Sequence, residues 1–246
     1  MRILQAMVGI VLACGPEYPS GHVLDRPRVL AVRLDPPEAT IGDLVRAQAL
    51  VAFPEGTDPE ANVALWQCPP DAYFPHGCVD AEGAVRIGDD EGEIVVGEDW
   101  RDRVTRADPF HSYLIVTAAV ETNDDEDVAI KRLVVGLPDP FEPPNRNPVL
   151  EEVRVEGSDE VATLTPVVGE GSVETYRLRT IDGDEVETEE EMYVSWYASD
   201  GALGPSLTRG DSLATSWRGT GPATVWAVLR DGRGGTAWIA SEVGAR

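Results

Sequence analysis

From Arg28 onward, apolar and polar positions alternate at the spacing of strands. Leu30, Val32 and Leu34 alternate against Val29, Ala31 and Arg33, a period of two that sends neighbouring side chains to opposite faces. Asp35-Pro36-Pro37 follows as a turn signal, since proline fixes φ and has no N–H for a ladder. Val45, Ala47, Ala49, Val51 and Phe53 then share one face, with Arg46 and Gln48 on the other, which predicts a second, half-buried strand. Residues 63–68, containing Trp66, predict a third. Residues 113–120 and 128–135 predict a hairpin across the polar loop Asn123-Asp124-Asp125-Glu126-Asp127. No long segment carries the periodicity of a helix.

Residues 138–148 hold five prolines in eleven positions. Such a stretch favours an extended, semi-rigid spacer of about 3.1 Å per residue, so the domain boundary falls here. Residues 149–155 open the second half much as residues 28–34 open the first. Short strands separated by Gly and Pro turns imply an all-β chain of two tandem β-sandwiches, residues 28–137 and 149–246, rather than a parallel sheet.

Val194-Ser195-Trp196-Tyr197-Ala198-Ser199-Asp200-Gly201 resembles the central strand and turn of bacterial immunoglobulin-like and PKD-like modules. The resemblance implies that Trp196 packs between two sheets. Thr215-Ser216-Trp217 and the run from Gly221 to Leu229 resemble later strands of these modules, and Asp231-Gly232-Arg233-Gly234-Gly235-Thr236-Ala237 closes the pattern as a hairpin. Glycines at its tip supply the positive φ that a tight or bulged turn requires. The resemblance covers residues 192–239 and is weaker in the first half, where Trp66 and the strand beginning at Tyr113 carry it. Trp226 and Trp238 stand on adjacent late strands with two readings open: cover for the sandwich core, or an aromatic surface for a glycan or protein partner.

The amino terminus supplies an address. Residues 3–13 form an eleven-residue apolar run, too short to span a bilayer and suited to the core of a signal peptide. Val11-Leu12-Ala13-Cys14-Gly15 resembles the lipobox of bacterial lipoproteins. That resemblance implies a signal peptide over residues 1–13, lipidation of Cys14, palmitate-type acyl chains as a membrane anchor, and a tether over residues 14–27. Ordinary signal cleavage, or a first strand of a cytosolic fold, are the alternatives. Gly15 in place of aspartate points to the outer membrane under the sorting rule of well-studied envelopes. As a whole the chain resembles the uncharacterised Ig-like lipoproteins of myxobacterial-type genomes.

Composition narrows the partners. The 246 residues carry 44 acids against 20 bases, a formal net charge of -24, so a nucleic-acid backbone would meet a like-charged protein. Cys68 and Cys78 leave Cys14 as the odd cysteine of three. In an exported chain the pair is expected as a disulfide, against a metal site that would draw on His76 and still lack ligands. No Gly-x-Ser-x-Gly elbow or phosphate-binding loop occurs, and His22, His76 and His111 are not expected to act in catalysis. Acidic clusters at residues 89–93, 123–127 and 182–185 are read as solubilising loops, with calcium ligation as the sharper alternative. The expectation is thus a non-enzymatic envelope module with no cofactor, metal or catalytic residue. The alternatives are a calcium-dependent adhesion module, and an envelope hydrolase or enzyme accessory domain.

Overall fold

The computed structural model describes residues 22–54, 61–68, 78, 82–98, 112–122, 126–136, 144–179 and 184–244. Cys14, the lipobox, His76, His111, residues 123–125 and residues 182–183 lie outside the described residues, as do most of the expected tether, the interior of the cysteine loop and the first half of the proline-rich segment.

The chain is all-β, as its alternation predicts. In the first domain the strands are β1 (Arg28–Asp35), β2 (Glu38–Ala39), β3 (Leu44–Ala52), β4 (Asn62–Cys68), β5 (Val85–Gly88), β6 (Glu91–Val95), β7 (Ser112–Glu121) and β8 (Glu126–Val135). They form one eight-stranded sheet in the order β1-β3-β6-β5-β4-β7-β8-β2. It folds over a single core, because β5 and β6 meet only through the pair Gly88 and Gly92. A Cβ at Gly88 would run into the Glu91 carbonyl oxygen. The corner therefore requires glycine and divides the sheet into two faces. Leu34, Val45, Leu65, Ile94, Leu114, Val116 and Leu133 fill the space between them.

The second domain contains β9 (Leu150–Gly157), β10 (Val161–Val168), β11 (Thr175–Arg179), β12 (Glu185–Glu189), β13 (Tyr193–Ala198), β14 (Ala202–Leu203), β15 (Leu207–Arg209), β16 (Thr215–Arg218), β17 (Ala223–Arg230) and β18 (Thr236–Val243). Its two principal sheets run β14-β16-β10-β9 and β15-β13-β17-β18, with β11-β12 a separate ribbon. This is the strand order of an immunoglobulin-type sandwich. The first domain repeats it: β1-β3-β6 corresponds to β9-β10-β16, and β5-β4-β7-β8 to β15-β13-β17-β18. The loose similarity of the two openings thus extends to seven strands of each domain.

Trp196 is fully buried between the sheets, and its indole N–H donates to Thr208 Oγ1 at 2.9 Å. Trp217 is equally buried and donates to the Asp200 carbonyl. Burying 150–250 Å² per ring at about 25 cal/mol per Å² contributes about 4–6 kcal/mol each before entropy, so aromatic and aliphatic packing holds this core without a disulfide between the sheets.

Particular side chains differ from the expectation. A bulge between Val29 and Ala31 breaks the alternation of β1, so Val29, Val32 and Leu34 enter the core while Leu30 and Ala31 face the other way. Phe53 lies past the end of β3 and is 48% exposed. In β4 it is Leu65 that fills the core, whereas Trp66 turns outward against the cysteine pair. The end of the expected tether is docked: Val23 bridges Ala198, and Leu24 is buried.

Candidate functional site

The outward faces of β1 and β3 are not solvated where they meet the second domain. Leu30, Ala31 and Ala52 are buried there with Leu24 and Val228, and Leu50, Tyr197, Trp226 and Trp238 pack around them. The outer face of β17 supplies Trp226 and Val228, while Ala223, Val225, Ala227 and Leu229 point into the sandwich core. Trp226 and Trp238 therefore do not cover their own core. They build the seam between the domains.

Beside this apolar contact stands a polar bolt made by the turn between β17 and β18. Gly232 and Gly234 take φ of +80° and +127°, which lets the backbone fold around Asp231. One Asp231 oxygen accepts from the backbone N–H groups of Arg233, Gly234 and Gly235 at 2.8, 2.9 and 2.9 Å. The other accepts from the Asn145 side-chain amide at 3.2 Å. A Cβ at Gly235 would strike the Asp231 carboxylate, so this position too requires glycine. Asn147 extends the bolt: its amide nitrogen donates to the Leu34 carbonyl at 2.8 Å, and its oxygen accepts from Thr236 N–H at 2.9 Å. The end of the proline-rich segment is thus pinned to both domains, and its expected role as a spacer does not extend to residues 145–147.

Arg233, whose side chain is 14% exposed, reaches Glu190 at 3.3 Å, Glu38 of the first domain at 3.6 Å and Glu174 at 3.7 Å. Its guanidinium also lies over the Tyr176 ring, 4.5 Å from the centroid. Burial pushes the Glu190 carboxyl up from its ordinary range, opposed by a hydrogen bond from Glu174 N–H and by Arg233. Lys131 of the first domain donates to Thr236 Oγ1 at 2.8 Å. Burial, reinforced by Arg230, lowers its ammonium to about 8, against an opposing pull from Asp231. Arg230 bridges the seam as well, donating to Ser195 Oγ and to the Leu30 carbonyl.

A cleft of about 330 Å³ opens where the seam meets solvent, lined by Arg33, Gln48, Asn147, Pro148, Val149, Leu150, Ala237 and Trp238. Arg33 and Gln48 sit directly opposite each other on β1 and β3. Both domains and the connecting segment contribute to its walls.

The other predicted sites fall away from the seam. Cys68 and Cys78 form a disulfide, packed with Trp66 and Ile115 on the outer face of β4 and β7. A ten-residue separation makes this bridge worth about 2.8 kcal/mol on the chain-entropy model. Among the described residues no group of three or more His, Cys, Asp or Glu side chains could hold a metal ion. Four described acids of the predicted clusters pair with neighbouring side chains: Asp89 with Arg86, Glu91 with Gln48, Glu93 with Arg46 and Glu185 with Arg177. Asp127 accepts from Val29 N–H, which ties the start of β8 to β1.

The seam leaves a signal in the sequence. Residues 29–32 and 225–229 are uninterrupted apolar runs, the mark of strands covered on both faces. No protein-family model and no curated protein matches the chain. Solved structures match it at low identity. The tandem V-type regions of VCBP3, a v-region-containing chitin binding protein, share 13% identity at a TM-score of 0.33, with 87% of this chain and 98% of that one covered. Chicken CNTN1 FN1-FN3 domains share 9% identity at a TM-score of 0.24, over 89% of this chain and 68% of that one. Native Escherichia coli alpha-2-macroglobulin shares 11% identity at 0.29, and the match spans only 17% of its length. The immunoglobulin-type assignment accordingly rests on strand order.

Proposed function

We propose that this chain is a membrane-anchored, non-enzymatic lipoprotein of the cell envelope, a binding or structural module that presents two immunoglobulin-like domains as one rigid body. The observation that carries the reading is the seam, where Val228 and Leu24 are buried and Asp231, Asn145, Asn147 and Arg233 link both domains to the connecting segment. Inter-domain contacts are usually more polar and allow relative motion. Here Arg233 supplies the positive charge between Glu38, Glu174 and Glu190 that a calcium ion would supply in a calcium-stiffened hinge.

The lipobox-like sequence gives the module its attachment. Seven residues lie between Cys14 and His22, eight steps along the chain, and the His22 carbonyl accepts from Ala198 N–H. Eight extended residues span at most about 29 Å. An acyl anchor on Cys14 therefore keeps the seam within that distance of the bilayer surface, on the outer membrane if the Gly15 rule applies. Membrane fractionation with mass analysis of the amino-terminal peptide tests this on wild type and Cys14→Ser. Acylated wild-type protein on membranes and a soluble or unprocessed variant are expected; an unmodified Cys14 in the soluble fraction would overturn the anchor.

A further inference from the structure

We infer that the carboxylates around Arg233 form a proton-operated latch, in which a proton on Glu190 draws the two domains more tightly together. This rests on the reading of the domains as one body joined at the seam and adds a way in which the joint is regulated. Three carboxylates compete for one guanidinium. Glu190 and Glu174 both meet Arg233 Nη1, at 3.3 and 3.7 Å, while Glu38 meets Nη2 at 3.6 Å. The Glu190 side chain has no exposed surface and that of Arg233 is 14% exposed, so solvent screens this pair little. Glu38, on β2, is the one carboxylate of the three that the first domain supplies.

Every element packed against Glu190 brings charge. Glu174, just before β11, donates its N–H to Glu190 Oε2 at 3.1 Å, and the turn between β17 and β18 brings Asp231 and Arg233. Arg146 of the connecting segment reaches Glu174 at 3.8 Å from an 80% exposed position, and the Tyr176 ring lies against Arg233. Lys131 acts on Asp231 and, with a pKa of about 8, stays charged below neutral pH. Inside the seam the negative charge is therefore in excess. Two carboxylates on one nitrogen repel each other, and burial disfavours the charged form of the one without exposure. Burial accordingly pushes the Glu190 carboxyl above its ordinary 4.5, helped by Asp231 and Glu174 and opposed by the Glu174 N–H and Arg233. Closing the domains adds Glu38 to the same guanidinium, which favours a proton on Glu190; by linkage that proton favours closing by the same factor. A neutral Glu190 gives up its share of Arg233, and the guanidinium is left to Glu38 and Glu174. The closed form thus gains stability as pH falls through the window above 4.5 and loses it as pH rises through the raised value.

The test uses the full chain carrying Ala31→Cys, which places a thiol in the seam at a position 3% exposed. Its reaction with dithiodipyridine is followed by mass analysis of the peptide that holds it. Dividing the rate in the urea-unfolded chain by the native rate at each pH gives a protection factor from which the reagent's own pH dependence cancels. Between about pH 7 and about pH 5.5 protection is expected to rise about two- to fivefold, the range of one partly exposed ion pair. Glu190→Gln on this background carries no charge at any pH and should hold the higher value throughout. Glu38→Gln keeps an acceptor for Asn145 N–H and should hold the lower value throughout. A fall or no change with acid in the parent chain, or an equal rise in either variant, would overturn the latch while leaving the closed seam intact. A thiol without protection at any pH would overturn the closed seam itself, so the two failures are told apart.

Discussion

Asp231 is where the stability of the seam can be measured most directly. Its residue is 1% exposed, and replacement by alanine removes the acceptor for three backbone N–H groups and for the Asn145 amide. These donors are not equivalent. Arg233 N–H and Gly234 N–H are partly buried and regain water, whereas the bonds from Gly235 N–H and from the Asn145 amide are buried. Two buried donors without partners cost about 1–3 kcal/mol each, less the relief of no longer burying a carboxylate. The expected net loss is about 3 kcal/mol, roughly 150-fold in the folding equilibrium. Asp231→Asn keeps an oxygen for the turn amides, and its N–H2 meets an Asn145 side chain whose Oδ1 has no partner among the described residues and can accept after the amide turns over, so at most about half the loss is expected. Urea unfolding at pH 7, followed by tryptophan fluorescence, reads both. A loss below about 1 kcal/mol in Asp231→Ala, or equal losses in the two variants, would show that the turn does not depend on this carboxylate.

Three further perturbations separate the parts of the fold. Reducing the Cys68–Cys78 bridge should lower the stability of the first domain by about 2.8 kcal/mol and leave the Trp196 and Trp217 environment unchanged; equal loss in both domains would contradict its placement on β4. Lys131 has a folded pKa of about 8, below its ordinary 10.5, so between these values the unfolded chain binds the proton and the folded chain does not. Stability then rises with pH through that window. Relative to Lys131→Met, the wild type should gain as pH increases from 8 to 10, and a constant gap between the two unfolding curves would refute the assignment. Val228→Asp places a charge in the seam but not in either core, so it should lengthen the particle in small-angle X-ray scattering while both domains stay folded. An unchanged radius of gyration would mean that the polar bolt alone holds the domains.

The two sandwiches were legible because their strands alternate and their turns carry Gly and Pro. The strands expected from residue 28 and over 45–53, 113–120 and 128–135 are present for that reason, as is the hairpin tip from Asp231 to Gly235, although the bulge in β1 exchanges Leu30 for Val29 in the core and Phe53 lies past β3. What escaped was contact made at long range. The β5–β6 corner hides in an acidic stretch, where Asp89 and Asp90 form the turn and two glycines allow the backbones to approach. The β11–β12 ribbon carries charges at alternating positions with little apolar signal. Trp226 and Trp238 could be placed on adjacent strands, but which face they occupy depends on a second domain whose docking no local pattern encodes. The same holds for Arg233, whose partners Glu38, Glu174 and Glu190 come from three separate stretches of the chain.

A seam built this way has a consequence for how the protein is organised. Leu24 belongs to the seam, and the segment before it pairs with Ala198 at the end of β13, so a force applied to the amino terminus reaches both domains at their junction and not one end of a string. The connecting segment arrives at the same place, with Asn145 beneath Asp231 and Asn147 against Leu34. The docked segment at Leu24, the contact between the domains and the end of the connecting segment therefore share one region. Opening the domains would break the bonds of Asn145 and Asn147, free the segment at Leu24 and expose Val228 in one step. Docking of the segment at Leu24 and interdomain geometry are thus thermodynamically linked through the same buried surface, and a change at one should be measurable at the other.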